Sequence, residues 1–337
     1  MKIKKAVLII LLLLVATNLE GFTMRYLGSI PIPHSIGYSL PCFGTVGDLN
    51  GDGFDDIVLG YPLTVLDSAA VFFGSAYWSG SSTPDLWIVG SRRRAVGDVN
   101  GDGIDDLIVG GAESGKVLFG ASDFTGEISQ TFVIPPLSEA DRLMHYQYVS
   151  GDFNRDGIDD VVAGMDYFHE NWFYFFWGQK RAGIREFPDF MFQFSNRREL
   201  WFDELRTGDI NGDGFDDLVV GSSEGVFVYF GSEYMDSIPD YRLSGFTPDS
   251  LAIVPHRPLV GDLNGDRIDD IALITSPVDD PLGPNVLIYL GSEYPDTEAD
   301  FIIPHNYLGT NTCGFWNRDR FKDIIADWYN LDDCLFQ

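Results

Sequence analysis

The fold open to this chain is constrained most tightly by a phrase that it repeats. "GDLNGDGFDDIVLG" begins at residue 47, and close copies begin at 97 ("GDVNGDGIDDLIVG"), 151 ("GDFNRDGIDDVVAG"), 208 ("GDINGDGFDDLVVG") and 261 ("GDLNGDRIDDIALI"). A worn sixth copy, "GFWNRDRFKDIIAD", begins at 314, and successive starts lie 50 to 57 residues apart. Self-similarity at such a period marks a chain that stacks copies of one supersecondary unit.

Each unit has the same inner rhythm. In the first, "CFGTV" precedes the acidic phrase, "DIVLG" closes it, and "AAVFFG" and "PDLWIVG" follow. These are four short runs rich in β-branched and aromatic residues, punctuated by glycine, proline and aspartate, and no helical period competes with them. The third run always ends in an aromatic residue or leucine before glycine: "VFFG" at 71, "VLFG" at 117, "FFWG" at 175, "VYFG" at 228 and "IYLG" at 288. Four strands per period of about 50 residues describe the blade of a β-propeller. The expected fold is all-β, with six four-stranded blades, or seven if the chain is truncated. "TMRYLGS" at 23–29 reads as a fourth strand with no first three before it, and the last repeat offers runs near 309–315, 323–328 and 333–336. Together they compose one blade, a join that would clasp the ring and remove two exposed sheet edges.

The acidic phrase crowds like charge. Asp48, Asp52, Asp55 and Asp56 fall within nine positions, and each pair a few ångströms apart repels by roughly 1 kcal/mol even in water. Counting Asp48 as position one, D-x-N-x-D-G-x-x-D offers side-chain oxygens at positions one, three, five and nine, a carbonyl at seven and a turn glycine at six. That set suits the six to eight oxygens of calcium. In the first repeat these are Asp48, Asn50, Asp52, the carbonyl of Phe54, and Asp56; Asp55, at position eight, is expected to point away. An EF-hand would place glutamate at position twelve between helices, whereas Leu59, Val109, Ala163, Val220 and Leu273 stand there, inside strands. Asn, Asp and Gly also make ordinary hairpin turns, but a turn needs two such residues and has no use for carboxylates at both one and nine.

With these loops and the aromatic-glycine strand ends, the chain resembles the FG-GAP repeats of the β-propeller in integrin α subunits and related extracellular proteins. The resemblance covers nearly all of residues 22–337. It implies about five calcium sites. Their ligands would be Asp48, Asn50, Asp52 and Asp56; Asp98, Asn100, Asp102 and Asp106; Asp152, Asn154, Asp156 and Asp160; Asp209, Asn211, Asp213 and Asp217; and Asp262, Asn264, Asp266 and Asp270. The carbonyls of Phe54, Ile104, Ile158, Phe215 and Ile268 would complete them. Arg267 replaces the turn glycine of the fifth site and makes it the less certain one. The sixth copy has Phe315 at position one and Lys322 beside Asp323, so no ion is expected there. Six units where integrins have seven set this chain apart from integrin-like partnering.

The resemblance also implies a face. In the family the calcium turns lie on the lower side, and the loops leading from strand four to the next strand one form the upper, ligand-facing side. Here those loops carry Arg92, Arg94, Arg142, Arg198 and Arg257, and "MDYFHENW" adds Tyr167 and Trp172. A convergent basic mouth would suit an acidic glycan or an acidic segment of an extracellular protein. Pairing with neighbouring acids such as Asp141 and Glu199, or core packing of the aromatics, is the plainer use of the same residues.

Charge narrows the partners. A formal net charge of -29 excludes nucleic acid, whose phosphates need a basic footprint. Twenty of the 51 acidic residues sit in the five good turns, so the acidity belongs largely to the repeat. Lys2, Lys4 and Lys5 precede an apolar run from Ala6 to Ala16 and then "TNLEG", the layout of a secretory signal peptide over residues 1–21 with the propeller in 22–337. Eleven helical residues reach only about 16 Å of a bilayer core of about 30 Å, so no span remains after cleavage. The protein is therefore expected outside the cell or at its surface. Cys42, Cys313 and Cys334 are an odd set that cannot all pair. "GSSEG" at 221–225 matches G-x-S-x-G but joins two strands, and the five histidines follow no zinc spacing, so no enzyme is expected. The expected role is a ligand-binding or adhesion module, with a polysaccharide lyase or hydrolase, or a structural module of a surface assembly, as the alternatives.

Overall fold

A computed structural model describes residues 6–16, 22–33, 42–61, 68–75, 83–89, 93–111, 114–135, 145–166, 171–195, 202–222, 224–243, 258–274, 285–304, 308–314 and 323–328. Among these there is no helix, and the architecture is a β-propeller. Five blades are four-stranded antiparallel meanders, consecutive in sequence except that a small hairpin, Gly178–Gln179 with Gly183–Ile184, intervenes before the last strand of blade three. Blade one is Cys42–Gly47, Asp56–Tyr61, Ser68–Phe72 and Leu86–Val89. Blade two is Arg93–Gly97, Asp106–Gly110, Ser114–Leu118 and Gln130–Val133. Blade three is His145–Gly151, Asp160–Asp166, Asn171–Phe176 and Phe190–Ser195. Blade four is Phe202–Gly208, Asp217–Ser222, Gly225–Tyr229 and Tyr241–Leu243. Blade five is Pro258–Gly261, Asp270–Ile274, Asn285–Tyr289 and Phe301–Pro304.

The expectation of six or seven such blades is corrected to five. A further four-stranded sheet has a different make, because it draws on both ends of the chain. Its order is Leu308–Gly314, Asp323–Trp328, Ala6–Ala16 and Phe22–Pro33. Phe22–Pro33 takes the outer place expected of the N-terminal strand. The third place belongs to Ala6–Ala16, the run read as a signal peptide, paired with Phe22–Pro33 on one side and with Asp323–Trp328 on the other. Eleven consecutive apolar residues suit a strand flanked on both sides. Residues 333–336, expected in that place, lie outside the described residues, as do Cys334 and the side chains of Cys42 and Cys313.

One register runs through all six four-stranded sheets. The glycine ending the first strand faces the aspartate opening the second: Gly47 and Asp56, Gly97 and Asp106, Gly151 and Asp160, Gly208 and Asp217, Gly261 and Asp270, Gly314 and Asp323. First strands of successive sheets adjoin, and Leu308–Gly314 lies against those of both blade five and blade one.

The core sits between blades. Along Asp160–Asp166, Val161, Ala163 and Met165 enter a cluster shared with blade two, while Val162 enters one shared with blade four. Along Asp217–Ser222, Leu218 and Val220 face blade three and Val219 faces blade five. The two-residue period of a strand thus feeds two cores at once. Among the described residues the seam between blades three and four is the most aromatic, with Phe153, Phe173, Phe175, Phe192 and Tyr229 buried together.

Candidate metal centre

Each acidic turn connects the first two strands of its blade and is folded by its own carboxylates. In turn one, Asp48 Oδ1 accepts the amide of Asp52 (3.0 Å) and Oδ2 that of Gly53 (2.6 Å). Asn50 Oδ1 accepts the Asp52 amide (2.9 Å), and Asp52 Oδ1 accepts that of Phe54 (2.9 Å). Asp56 Oδ2 takes the amide of Leu49 (3.0 Å), and Oδ1 takes that of Gly74 (2.8 Å), the glycine ending the third strand's aromatic run. The position-nine links recur for Asp106, Asp160, Asp217 and Asp270, to Gly120, Gly178, Gly231 and Gly291. This is why the aromatic run must end close to the turn.

A gradient of exposure crosses each turn. Position five (Asp52, Asp102, Asp156, Asp213, Asp266) is exposed, whereas position nine is 0% exposed in all five. Burial pushes Asp56, Asp106 and Asp270 up to about 7, and Asp160 and Asp217 up to about 8. Amide hydrogen bonds oppose this, and the carboxylates at positions one and five add to it by repulsion. Among the described residues no lysine or arginine pairs with a position-nine carboxylate.

The donor set is therefore all oxygen and buried at its position-nine end, which is the chemistry a hard dication takes. Convergence is less complete. Among the described residues no three His, Cys, Asp or Glu side chains are arranged to hold a metal ion. The three aspartates of a turn share one hairpin, but those at positions one and five are folded onto amides of their own turn.

Two arginines within the acidic turns occupy left-handed backbone. Arg267, at position six of turn five, has φ +78°, close to the +83° of Gly53, and its amide donates to Asp262 Oδ2 at 2.9 Å. The substitution leaves the turn's path unchanged at a conformational cost of about 1–2 kcal/mol. Arg155, at position four of turn three, has φ +59°, and its guanidinium lies over the Phe215 ring of the next turn at 5.6 Å.

Position eight does point away from its own turn, and the structure adds where it goes. Asp105, Asp159, Asp216 and Asp269 leave their own turns and enter the preceding one. Their Oδ2 atoms accept the amides of Asp48 (2.8 Å), Asp98 (2.9 Å), Asp152 (2.8 Å) and Asp209 (3.2 Å). Their own amides donate to the carbonyls of the same four residues, at 3.1, 3.0, 3.0 and 2.9 Å. The glycine before position one makes room: a Cβ on Gly97 would lie 2.4 Å from Asp159 Oδ2, and one on Gly47 2.6 Å from Asp105 Oδ2. Burial and neighbouring like charges push Asp105 up to about 6 and Asp159 to about 7. The signal was present in the sequence as an aspartate at position eight of all five turns.

The basic mouth is not assembled by the described residues. Arg94 is buried, and its Nε donates to the carbonyl of Val58 in blade one (3.2 Å), so it braces two blades instead of facing a ligand. A residue at the start of a first strand lies between blades, which is the physical reason. Trp172 is half-buried against the core shared by blades two and three. Arg92, Arg142, Arg198, Arg257 and Tyr167 lie outside the described residues, as does Ser223 of "GSSEG", whose flanks are the paired strands of a hairpin. Elsewhere on the surface, Tyr234 and Tyr294 occupy the same place in "GSEY" of blades four and five and are 87% and 82% exposed. Tyr234 borders a shallow pocket of about 170 Å³ with Ser232, Asp236, Ile238 and Asp240. Among the described residues no helix is long and apolar enough to cross a membrane.

Comparison with known proteins places these features. Residues 43–74 and 204–232 match the FG-GAP repeat, and residues 98–163 match the FG-GAP-like repeat. No curated protein matches the chain in sequence. Among solved structures, an Agrocybe aegerita lectin that recognises non-reducing terminal N-acetylglucosamine is similar at TM-score 0.54 and 14% identity, over 96% of this chain and 85% of the lectin. The V. cholerae biofilm matrix protein Bap1 is similar at TM-score 0.41 and 16% identity, over 81% of this chain and 40% of Bap1. The Bacillus licheniformis rhamnogalacturonan lyase PL11 is similar at 0.48 and 12%, over 92% and 65%. The chain thus spans less than two thirds of the length of the latter two.

Proposed function

The chain carries FG-GAP repeats, and on that premise we propose that it is an exported, calcium-loaded β-propeller that binds an extracellular protein or an acidic glycan, in adhesion or surface recognition. The observation that carries the calcium reading is the aspartate at position nine: buried in all five turns, beside two more carboxylates, and without a lysine or arginine partner among the described residues. Asp48, Asn50, Asp52 and Asp56, and their counterparts in the other four turns, would hold the ions. Calcium would relieve the repulsion and lock each hairpin.

Two exposed tyrosines at equivalent places in successive blades support the binding role. Tyr234 and Tyr294 offer aromatic faces with polar tips, the residue type that stacks on sugar rings and anchors protein contacts.

Equilibrium dialysis tests the first part: about five calcium ions per chain are expected at millimolar supply, and none retained refutes it. A screen against acidic glycans tests the second. Saturable binding without products supports it. Shortened chains replace it with a polysaccharide-cleaving enzyme, and absence of binding with a structural module.

A further inference from the structure

We propose that the aspartate at position eight of turns two to five is a positioning residue for the cation site of the preceding blade, so that turns one to five are coupled in one direction. The proposal rests on the calcium reading above.

The geometry is a two-point clamp repeated four times. Asp159 holds the Asp98 amide with its carboxylate (2.9 Å) and the Asp98 carbonyl with its own amide (3.0 Å). Asp105, Asp216 and Asp269 do the same to Asp48, Asp152 and Asp209. The clamped residue is always position one, whose side chain folds the turn: Asp98 Oδ1 accepts the amides of Gly101 (2.7 Å) and Asp102 (3.1 Å), and Oδ2 that of Gly103 (2.7 Å). Fixing the backbone of Asp98 on both sides therefore fixes the origin from which its carboxylate, the first ligand, is aimed.

Neighbouring contacts run in the same direction. Carbonyls of position two (Leu49, Val99, Ile210) accept amides of Ala121, Gln179 and Ser292 from the next blade. The position-seven side chains Ile104, Ile158 and Ile268 come close beneath Gly51, Gly101 and Gly212 of the preceding turn. A site built by one hairpin alone would need none of these. The glycine before position one answers to the same clamp, since any side chain there would displace the incoming carboxylate.

The test is calcium-titrated amide hydrogen exchange on the full chain, following residues 98–106 and 152–160 separately. In the wild type both segments slow as calcium rises. In Asp159→Ala the calcium midpoint of 98–106 should rise about tenfold, the scale of one charge-assisted hydrogen bond, while that of 152–160 moves less than about twofold. Asp159→Asn keeps an acceptor oxygen and should restore the midpoint of 98–106 to within about threefold of wild type. Equal shifts in both segments, a shift confined to 152–160, or no shift in 98–106 overturns the proposal and leaves the calcium reading standing. A wild type whose exchange ignores calcium overturns both.

Discussion

Stripped of divalent ions, the protein should be stabilised by acid; loaded with calcium, it should be destabilised by it. The position-nine aspartates stand at about 7 in turns one, two and five and about 8 in turns three and four, against an ordinary 3.8. A carboxyl whose pKa is raised by folding binds its proton better in the folded state. Its contribution is therefore full below about pH 4 and is lost as pH climbs through about 7 to 8. Between about pH 7.5 and about pH 5.5, each such group taken singly regains roughly 2 kcal/mol, since one unit is about 1.4 kcal/mol. The five are not additive, because each relaxes and repels within its own turn. Even two turns' worth, about 4 kcal/mol, corresponds to a rise of roughly 5–10 °C in Tm. Differential scanning calorimetry in EGTA across this pH range should show that rise. In millimolar calcium the sign reverses, because protons then compete with the ion for the same oxygens. A Tm in EGTA that is flat or falls on acidification would refute the claim that these carboxylates are buried against their charge.

Three further outcomes are expected. Gly97→Ala places a methyl 2.4 Å from Asp159 Oδ2 and 2.7 Å from Ser150 Oγ, and should cost about 1–3 kcal/mol in urea unfolding; a change below about 0.5 would contradict the clamp. Arg267→Gly relieves a φ of +78° and should raise stability by about 1 kcal/mol in calcium, read as a shifted urea midpoint with unchanged slope; a loss would mean that Arg267 makes a stabilising contact. Expressed in an exporting host, the mature chain should begin within residues 17–21 by N-terminal sequencing, and a product retaining Ala6–Ala16 would overturn the signal-peptide reading.

Much of the fold was legible because repetition multiplies weak local signals. Four strand-like runs in one unit are ambiguous, but the same runs at 47, 97, 151, 208 and 261 leave little besides a propeller. The sixth sheet was half legible. Residues 23–29 read as its outer strand, within the observed Phe22–Pro33, whereas Ala6–Ala16 does not read as a strand because positive flanks and an apolar run also spell an export signal, and a window of sequence cannot show a partner such as Asp323–Trp328. Arg94 was misread for a related reason. Its residue type announces charge, but the strand that carries it is pressed against blade one, which only the assembled ring reveals. Position eight reads from one turn only as pointing away, and so it does, but its destination is not legible there, because the partner of Asp159 lies 61 residues earlier, at Asp98.

The placement of the acids argues most directly against a turn that merely happens to be polar. Each turn must satisfy the amides at positions two, five, six and seven and that of the distant glycine, and its side-chain oxygens do so. Acceptance alone does not demand charge. Asn50, Asn154, Asn211 and Asn264 hold the position-five amide at 2.8–2.9 Å with neutral oxygens, and an asparagine at one, five or nine offers the same acceptor. Yet those three positions are aspartate in all five turns, and the ninth is buried at a cost that its pKa makes plain. Position eight adds a fourth carboxylate, drawn off to the neighbouring blade in four of the turns. Hydrogen bonding thus explains an oxygen at each of these places but not the negative charge on it. A dication binding within the turn, as proposed, would supply the missing reason.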